Sequence, residues 1–217
     1  MDSSTWDERY SGSDLVWSAG PNVWVEQIVG TFPVGRVLDL AGGEGRNALW
    51  LADRGWQATI VDFSQVGLDR ARRLAEQRFG ADDARITTVC ADLLTYAPEL
   101  AAFDLVLVVY LQLAAALRRT VLRAAADAVA PGGRLLVVAH DSTNLTAGAG
   151  GPQDPAVLYT ADDIADDIAG SPLQIERREA VLREVTTEHG ARTAVDALLL
   201  ARRSPHQNTD RVKGTTS

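Results

Sequence analysis

The sequence predicts an α/β protein in which a largely parallel β-sheet is covered by helices on both faces. From residue 36 onward, short apolar segments that suit buried strands alternate with longer segments that suit helices. Such alternation is typical of strand–helix–strand units, whose crossovers are right-handed. The first unit also carries a glycine-rich turn between its strand and its helix. The predicted strands are 36–40, 57–61, 85–90, 103–109 and 134–140, and the predicted helices are 45–54, 64–79 and 112–129.

Length and composition favour one domain with its own core. A chain of 217 residues buries enough apolar surface to fold without disulfides or structural metals. Cys90 is the single cysteine, which excludes a disulfide framework and a cysteine-based zinc site within one chain. The sequence shows no basic segment followed by an apolar run and no stretch of about 18 apolar residues, so we expect a cytoplasmic enzyme.

The charge balance argues against a nucleic-acid partner. The chain has 29 acidic and 21 basic residues and a net charge of −8, which disfavours attraction to a phosphate backbone. Arginines cluster on two predicted helices, at Arg70, Arg72, Arg73 and Arg78 and again at Arg118, Arg119 and Arg123. Their alternation with alanine and leucine indicates solvated helix faces. A small-molecule substrate is therefore expected.

The segment from residue 36 to residue 48 carries the strongest functional signal. A buried strand leads through Gly43 and Gly45 into a helix, and glycine lets the backbone turn sharply and approach a ligand closely. The first N–H groups of the helix and its positive dipole end then face that ligand. A nucleotide-like ligand is expected, but the spacing Gly43-x-Gly45-x-x-Ala48 also satisfies a dinucleotide fingerprint.

Two carboxylates favour one class of nucleotide over the other. Asp39 ends the first strand just before the turn, where it would repel a pyrophosphate and attract a cation. Asp62 closes the next strand, where it can accept both hydroxyls of a ribose. An adenosine whose tail carries a sulfonium centre and an amino acid fits these acids better than a dinucleotide does.

Several short motifs resemble those of the class I S-adenosylmethionine-dependent methyltransferases, in the order of that family. They are Val37–Gly45, Val61–Ser64, Ala91–Leu93, Phe103–Val106, and Ala130–Gly133 followed by Leu135–His140. The resemblance covers roughly residues 20 to 203 and implies a Rossmann-like, seven-stranded, mostly parallel sheet with an antiparallel last strand. Ala41 stands where the family usually has glycine. Because alanine favours negative φ, we expect an ordinary turn there.

The resemblance implies a frame of residues around S-adenosylmethionine. Its members are Asp39, Ala41, Gly42, Gly43, Gly45, Asp62, Phe63, Ser64, Asp92, Leu93 and Tyr110. Phe63 offers an apolar face to adenine, and Ser64 suits the N-cap of the following helix. Asp92 either accepts from the adenine amino group or caps a helix. Tyr110 lies beside the sulfonium or is an ordinary core tyrosine.

Histidines are the candidate bases for methyl transfer, which is an in-line displacement at the methyl carbon. His140 ends the fifth predicted strand, where it acts as a general base or shapes the pocket floor. His189 lies in a predicted hairpin turn and either approaches the acceptor or is solvated. Asp141 and Asn144 offer hard oxygen ligands, but they are also ordinary turn residues, and no metal is predicted.

The segments outside the alternating units complete the domain plan. Residues 1–20 carry Trp6, Tyr10 and Trp17, which staple the N-terminus to the core or form a lid over the cofactor. Trp6–Tyr10 resembles the opening of tellurite-resistance-like, small-molecule members of the family. The methyltransferase domain is predicted over 21–203, followed by a polar, disordered tail over 204–217.

Within that domain, the remaining elements surround the pocket or complete the sheet. Pro21 is expected to begin a helix that runs to about Val29. An irregular loop, 141–155, lies over the pocket, and a helix capped at Thr160 runs to Ile168. Segments 173–187 and 192–202 form a terminal hairpin.

The sequence thus predicts a methyltransferase that uses S-adenosylmethionine on a small molecule. A nicotinamide-dependent oxidoreductase fits the glycine turn but not Asp39 or the terminal hairpin, which a parallel six-stranded dinucleotide domain lacks. A non-catalytic nucleoside-binding protein is the third possibility, favoured only if the acceptor side of the pocket lacks polar groups.

Overall fold

Seven strands form a single sheet in the computed structural model, which describes residues 3–12, 20–81, 83–187 and 190–205. The strands are β1 Arg36–Leu40, β2 Gln57–Asp62, β3 Ile86–Cys90, β4 Phe103–Val109, β5 Val129–His140, β6 Leu173–Thr187 and β7 Gly190–Arg203. The helices are α1 Ser3–Tyr10, α2 Val23–Val29, α3 Arg46–Ala52, α4 Gln65–Phe79, α5 Ala115–Ala128, α6 Asn144–Ala147 and α7 Ala161–Asp167. A short 3₁₀ turn covers Pro155–Val157. Trp17, His189 and the tail beyond residue 205 lie outside the described residues.

The strand order places the site at a switch point. The order is β3-β2-β1-β4-β5-β7-β6. The connection from β3 to β4 therefore crosses the sheet, and the strand order reverses between the neighbouring strands β1 and β4. Strands β1 to β5 pair in parallel, whereas β7 is antiparallel to both β5 and β6. The predicted fold, including its terminal hairpin and reversed last strand, is confirmed. Ligands of such sheets bind beyond the carboxyl ends of the strands at the switch point.

Two hydrophobic layers hold the helices on the sheet. Alternate residues of β4 point to opposite faces, so Val106 and Val108 pack in one layer and Leu105 and Leu107 in the other. The first layer includes residues of α5 and α7, and the second includes residues of α2, α3 and α4. Burial on both faces explains why β1 and β4 are almost continuously apolar.

Three element boundaries differ from the sequence prediction because of a helix cap, an extended residue and a register shift. Helix α2 begins at Val23 because Asn22, and not a proline one residue earlier, caps it by accepting from the Trp24 N–H at 2.9 Å. Helix α5 begins three residues late because Ala114 is extended (ψ 148°). Strand β5 begins at Val129, five residues before the predicted start at residue 134, and its pairing with β4 includes a register shift.

The N-terminal segment and the loop after β5 contain helices that hydrophobic periodicity did not predict. Residues 3–10 form α1 and residues 144–147 form α6. The predicted helix over 161–168 is confirmed as α7, which ends one residue earlier. Asp163 completes its capping box in spite of its short side chain, because Oδ2 accepts the Thr160 N–H at 2.8 Å.

The prediction of solvated arginine faces is wrong for Arg118 and Arg70, whereas Arg119 is exposed. Arg118 is buried, with Nε 2.5 Å from Oδ2 of the fully buried Asp167, and Arg119 Nε lies 3.0 Å from the other oxygen. Arg70 pairs with the buried Glu44 at 2.6 Å. A buried carboxylate needs a cation nearby, and periodicity alone does not reveal that need. No helix in the described part of the chain is long and apolar enough to cross a membrane.

Candidate cofactor and acceptor site

The turn after β1 is tighter than the sequence suggested. Ala41 has φ +58°, so the expectation of an ordinary turn at this alanine is wrong. The turn is held from both sides, since the Gly42 N–H donates to Val61 O at 3.3 Å and the Gly45 N–H donates to Gly42 O at 2.8 Å. Left-handed backbone costs an alanine roughly 1–2 kcal/mol, which the surrounding structure sustains.

Glycine is required at two positions of this turn. Gly43 and Gly45 have φ values of +53° and +76°, which side chains rarely tolerate. A Cβ on Gly45 would lie 2.7 Å from Ile60 Cδ1, and a Cβ on Gly43 would collide with the Tyr10 hydroxyl. Because these two residues have no side chain, other groups can approach the backbone of the turn closely.

Asp39 is buried beside this turn with one oxygen unsatisfied. Its Oδ2 has no hydrogen-bond partner among the residues that the structure describes. Burial raises the pKa of Asp39 to about 7, the Arg46 guanidinium acts in the opposite direction, and Asp62 raises the pKa further. A buried, orphaned carboxylate oxygen is costly unless a ligand completes it. A cationic group such as an ammonium or sulfonium fits this position.

Asp62 organises the second strand end. Its Oδ2 accepts the Gly43 N–H at 2.9 Å and its Oδ1 accepts the Ser64 N–H at 2.9 Å. Burial raises the pKa of Asp62, and these backbone bonds oppose the rise. The predicted N-cap is confirmed, because Ser64 Oγ accepts from the Gly67 N–H at 3.1 Å. The carboxylate thus links the glycine turn to the start of α4.

The residues predicted around adenine lie beyond the ends of β2 and β3. Asp62 and Cys90 are paired at the ends of these strands, and Cys90 Sγ donates to Phe63 O at 3.6 Å. Asp92 is exposed and Oδ1 accepts the Leu94 N–H at 2.9 Å, so this oxygen closes a turn and caps no helix. Phe63 and Leu93 are half-buried. Their roles toward adenine stay predictions.

Tyr110 and His140 lie together at the ends of β4 and β5. The two rings stack with centroids 4.7 Å apart and planes at 21°. Tyr110 has φ +59°, and Oη donates to Asp196 Oδ2 at 2.9 Å. Burial lowers the pKa of His140, Asp196 opposes this, and Arg183 adds to it. A histidine that is mostly neutral near pH 7 is therefore available at this edge.

Sequence reasoning missed several polar residues that surround this pair. Asp196 is fully buried and accepts from Trp24 Nε1 at 2.9 Å and from Arg183 Nε at 2.8 Å. Arg46 lies 6.0 Å from the Tyr110 ring centroid. One signal was available, because Asp196 is the sole charged residue in the apolar segment 194–201 of β7. A charge in a buried strand needs partners and therefore marks a polar cluster.

Helix α1 lies against the glycine turn. Tyr10 is buried, and its ring would meet a Cβ on Gly67 at 3.2 Å, so both Gly43 and Gly67 make room for it. Ser64 Oγ donates to Asp7 Oδ1 at 2.5 Å, and Trp6 stacks on Tyr10 at 5.5 Å. These contacts are compatible with both the staple and the lid, which stay predictions.

The two candidate metal ligands in the loop after β5 make hydrogen bonds to backbone groups. Asp141 Oδ1 accepts from Thr143 N and Oγ1 at 2.9 and 2.7 Å. Asn144 accepts the Val195 N–H at 2.7 Å and donates to Gly150 O at 2.9 Å. Together these bonds attach the loop to β7, and Gly151 of the same loop packs on the His140 ring.

The reversed last strand, the glycine turn after β1 and the acids at adjacent strand ends are consistent with a class I S-adenosylmethionine-dependent methyltransferase. Residues 37–133 match the family model of a methyltransferase domain. Solved structures with this fold include two S-adenosylmethionine-dependent methyltransferases, and N-methyltransferase NodS from Bradyrhizobium japonicum WM9 in complex with S-adenosylhomocysteine. The predicted resemblance to a methyltransferase and its cofactor class are confirmed.

Similarity to individual proteins is more distant. TehB from Haemophilus influenzae aligns with a TM-score of 0.69 and 19% identity over 92% of this chain and 66% of its own. A structure from work on the conversion of a disulfide bond into a thioacetal group during echinomycin biosynthesis aligns at 0.69 and 22%, over 95% and 94% of the chains. A tRNA 5-carboxymethoxyuridine methyltransferase of Escherichia coli (strain K12) is 44% identical over 48 residues, which are 22% of this chain and 18% of that protein.

Replacement of Asp39 by asparagine is expected to stabilise the ligand-free protein above pH 7. Because folding raises this pKa from 3.8 to about 7, the folded state retains a proton between those values, and the stability from this proton is lost as pH rises through 7. We expect Asp39→Asn to raise the free energy of unfolding by about 1–2 kcal/mol at pH 8 and by less at pH 5. Urea unfolding at both pH values measures this. Asp53→Asn, at an exposed position, is the control, and an equal gain at both pH values would contradict the prediction.

Proposed function

We propose that this protein transfers a methyl group from S-adenosylmethionine to a small-molecule acceptor. The observation that carries the proposal is the orphaned, buried Asp39 oxygen beside a glycine turn, at the switch point of a methyltransferase fold. A cationic group would satisfy the buried carboxylate oxygen, and the glycines of the turn let a ligand approach the backbone closely. S-adenosylmethionine, when bound, supplies an electrophilic methyl carbon on a sulfonium.

The cofactor frame consists of residues at three neighbouring strand ends. Asp39 faces the positively charged end of the cofactor, and Asp62 accepts from the ribose through lone pairs that its backbone bonds leave available. Phe63, Asp92 and Leu93 surround the adenine. Parallel pairing of β1, β2 and β3 brings these residues to one edge of the sheet.

The acceptor side is formed by Tyr110 and His140, which favours an enzyme over a passive nucleoside-binding protein. An acceptor with a hydroxyl, thiol or amine attacks the methyl carbon, a new bond to carbon forms, and the carbon–sulfur bond breaks with its electron pair on sulfur. The proton of the acceptor passes to His140 and then to solvent. The products are the methylated acceptor and S-adenosylhomocysteine.

Charge supports a small acceptor over a polynucleotide. The chain carries −8, and two arginines of its basic clusters are engaged with the buried acids Glu44 and Asp167. The electrostatic attraction of this chain for the phosphate backbone of a polynucleotide is therefore weak. The short match to a tRNA methyltransferase covers too little of either chain to carry the acceptor with it.

A panel of methyl acceptors, read by released S-adenosylhomocysteine, tests the proposal. We expect turnover with at least one small hydroxyl, thiol or amine compound and none with bulk tRNA. Calorimetry with S-adenosylhomocysteine, and fluorescence titration with NADH, test the cofactor separately. Binding of NADH in place of S-adenosylhomocysteine would overturn the cofactor assignment, whereas turnover with tRNA alone would overturn the acceptor class.

A further inference from the structure

His140 meets a buried carboxylate across the sheet. In the antiparallel pairing of β5 with β7, His140 stands directly opposite Asp196. Its Nδ1 lies 3.5 Å from Asp196 Oδ1, is shielded from solvent, and makes no hydrogen bond in the described part of the chain. The side chain of His140 keeps 14% of its surface accessible. Because Nδ1 is buried, the accessible part belongs to the rest of the ring, which includes Nε2.

The two oxygens of Asp196 have different surroundings. Oδ2 accepts three bonds, from Trp24 Nε1 at 2.9 Å, Tyr110 Oη at 2.9 Å and Arg183 Nε at 2.8 Å. Oδ1 has the longer contact with Arg183, at 3.4 Å, and faces His140. The carboxylate is therefore held in one orientation by donors on three different elements, with Oδ1 directed at the imidazole.

The facing atoms select one tautomer of the neutral imidazole. If Nδ1 carried a lone pair, that lone pair would point at a carboxylate oxygen, which is repulsive at this separation. If Nδ1 carries the proton, its N–H points at the negative charge, and the basic lone pair is on Nε2. The Tyr110 ring stacks on the imidazole and the backbone at Gly151 lies close to it, and both contacts restrain the orientation of the ring.

We infer that Asp196 is a positioning residue for His140: it fixes the proton on Nδ1 and leaves Nε2 as the base that receives the acceptor's proton. The inference rests on the proposed function for the role of Nε2. It narrows the substrate class to acceptors that lose a proton on methylation, such as alcohols, phenols, thiols or ammonium groups. The charged or titratable groups around the imidazole are Asp196 on β7, Arg183 on β6 and Tyr110 after β4.

Nuclear magnetic resonance of the full chain with ¹⁵N-labelled histidine tests the tautomer without a substrate. The chain has three histidines, and His140→Asn assigns the signal of interest. The expected wild-type signal is the Nδ1–H tautomer, with a titration midpoint below 6.5. An Nε2–H tautomer in the wild-type protein would overturn the inference without any variant of Asp196.

Asp196→Asn adds a directional test. Its amide oxygen is expected to take the place of Oδ2, where three donors converge, so its NH₂ group faces His140 Nδ1 and donates to it. His140 then switches to the Nε2–H tautomer, and its midpoint falls by about 1 pH unit because the negative charge is gone. An unchanged tautomer and midpoint in this variant would refute the positioning role.

Asp167→Asn is the matched control. Asp167 is as fully buried as Asp196 and is also paired with arginines, but it lies in α7. We expect it to lower the unfolding temperature and leave the His140 tautomer unchanged. Calorimetry with S-adenosylhomocysteine on the same samples separates the outcomes, because a wild-type protein that binds S-adenosylhomocysteine but shows the Nε2–H tautomer contradicts this inference alone.

Discussion

Substitution of Asp62 by alanine is expected to weaken S-adenosylhomocysteine binding at least about 100-fold. The variant removes the carboxylate that we propose accepts from the ribose, and each charge-assisted hydrogen bond contributes roughly 1.5–3 kcal/mol. It also leaves the N–H groups of Gly43 and Ser64 without their acceptor, which loosens the turn. Two such bonds correspond to a loss of about two orders of magnitude in affinity. Isothermal titration calorimetry measures this directly.

Two further variants make the Asp62 experiment specific. Asp69→Ala removes the same charge from a half-exposed position on α4, where the side chain keeps 44% of its surface accessible, and is expected to leave the affinity unchanged. Asp62→Asn retains an acceptor for one backbone N–H and is expected to bind between the wild type and the alanine variant. Thermal unfolding shows whether each variant is folded. Wild-type affinity in a folded Asp62→Ala protein would exclude this carboxylate from the ribose contact.

Substitution of His140 by asparagine is expected to lower kcat roughly 10²–10⁴-fold, the usual contribution of a positioned general base. Asparagine retains a polar group near Asp196 but provides no basic nitrogen at the position of Nε2. Cofactor affinity should remain within about twofold, because His140 is proposed to face the acceptor and is not among the residues predicted to bind the cofactor. The measurement uses an acceptor that turns over in the panel, with kcat and calorimetry recorded on the same preparation.

The pH profile separates a base from a residue that shapes the pocket. The wild-type kcat should fall at low pH as His140 becomes protonated, with a midpoint below 6.5, since burial lowers the pKa of this histidine. The acid limb should be absent from the His140→Asn variant, whose residual rate is independent of this titration. If kcat of the variant still fell at low pH as in the wild type, another group would cause the fall and His140 would not be the base.

The stacked pair of Tyr110 and His140 connects the acceptor side to the hairpin that ends the fold. Asp196 is on β7 and Arg183 is on β6, so the hairpin contributes two charged groups to the site. A parallel sheet without this hairpin would leave His140 at an edge with no carboxylate opposite it. The reversed last strand therefore places a buried carboxylate beside the proposed base as well as completing the sheet.

Most of the sheet was predictable because its signal is local. Strands buried on both faces are almost continuously apolar, and the helices between them follow a helical period, so β1, β2 and β4 were located within one residue of their ends. Asp39 and Asp62 were found at the correct edge because parallel strands bring their carboxyl ends together. Backbone strain at Ala41 was not predictable, since it arises from bonds to Val61 on a neighbouring strand.

The sequence by itself determined the alternation of strands and helices, the class of cofactor and the edge of the sheet at which we propose that the cofactor binds. Only the tertiary structure decided which polar side chains meet on the acceptor side. Trp24 and Tyr110 contact Asp196 from 172 and 86 residues away, at positions set by strand register and helix packing. Local periodicity carries no information on such pairings, because they form when distant strands come into register and a buried carboxylate must find its donors.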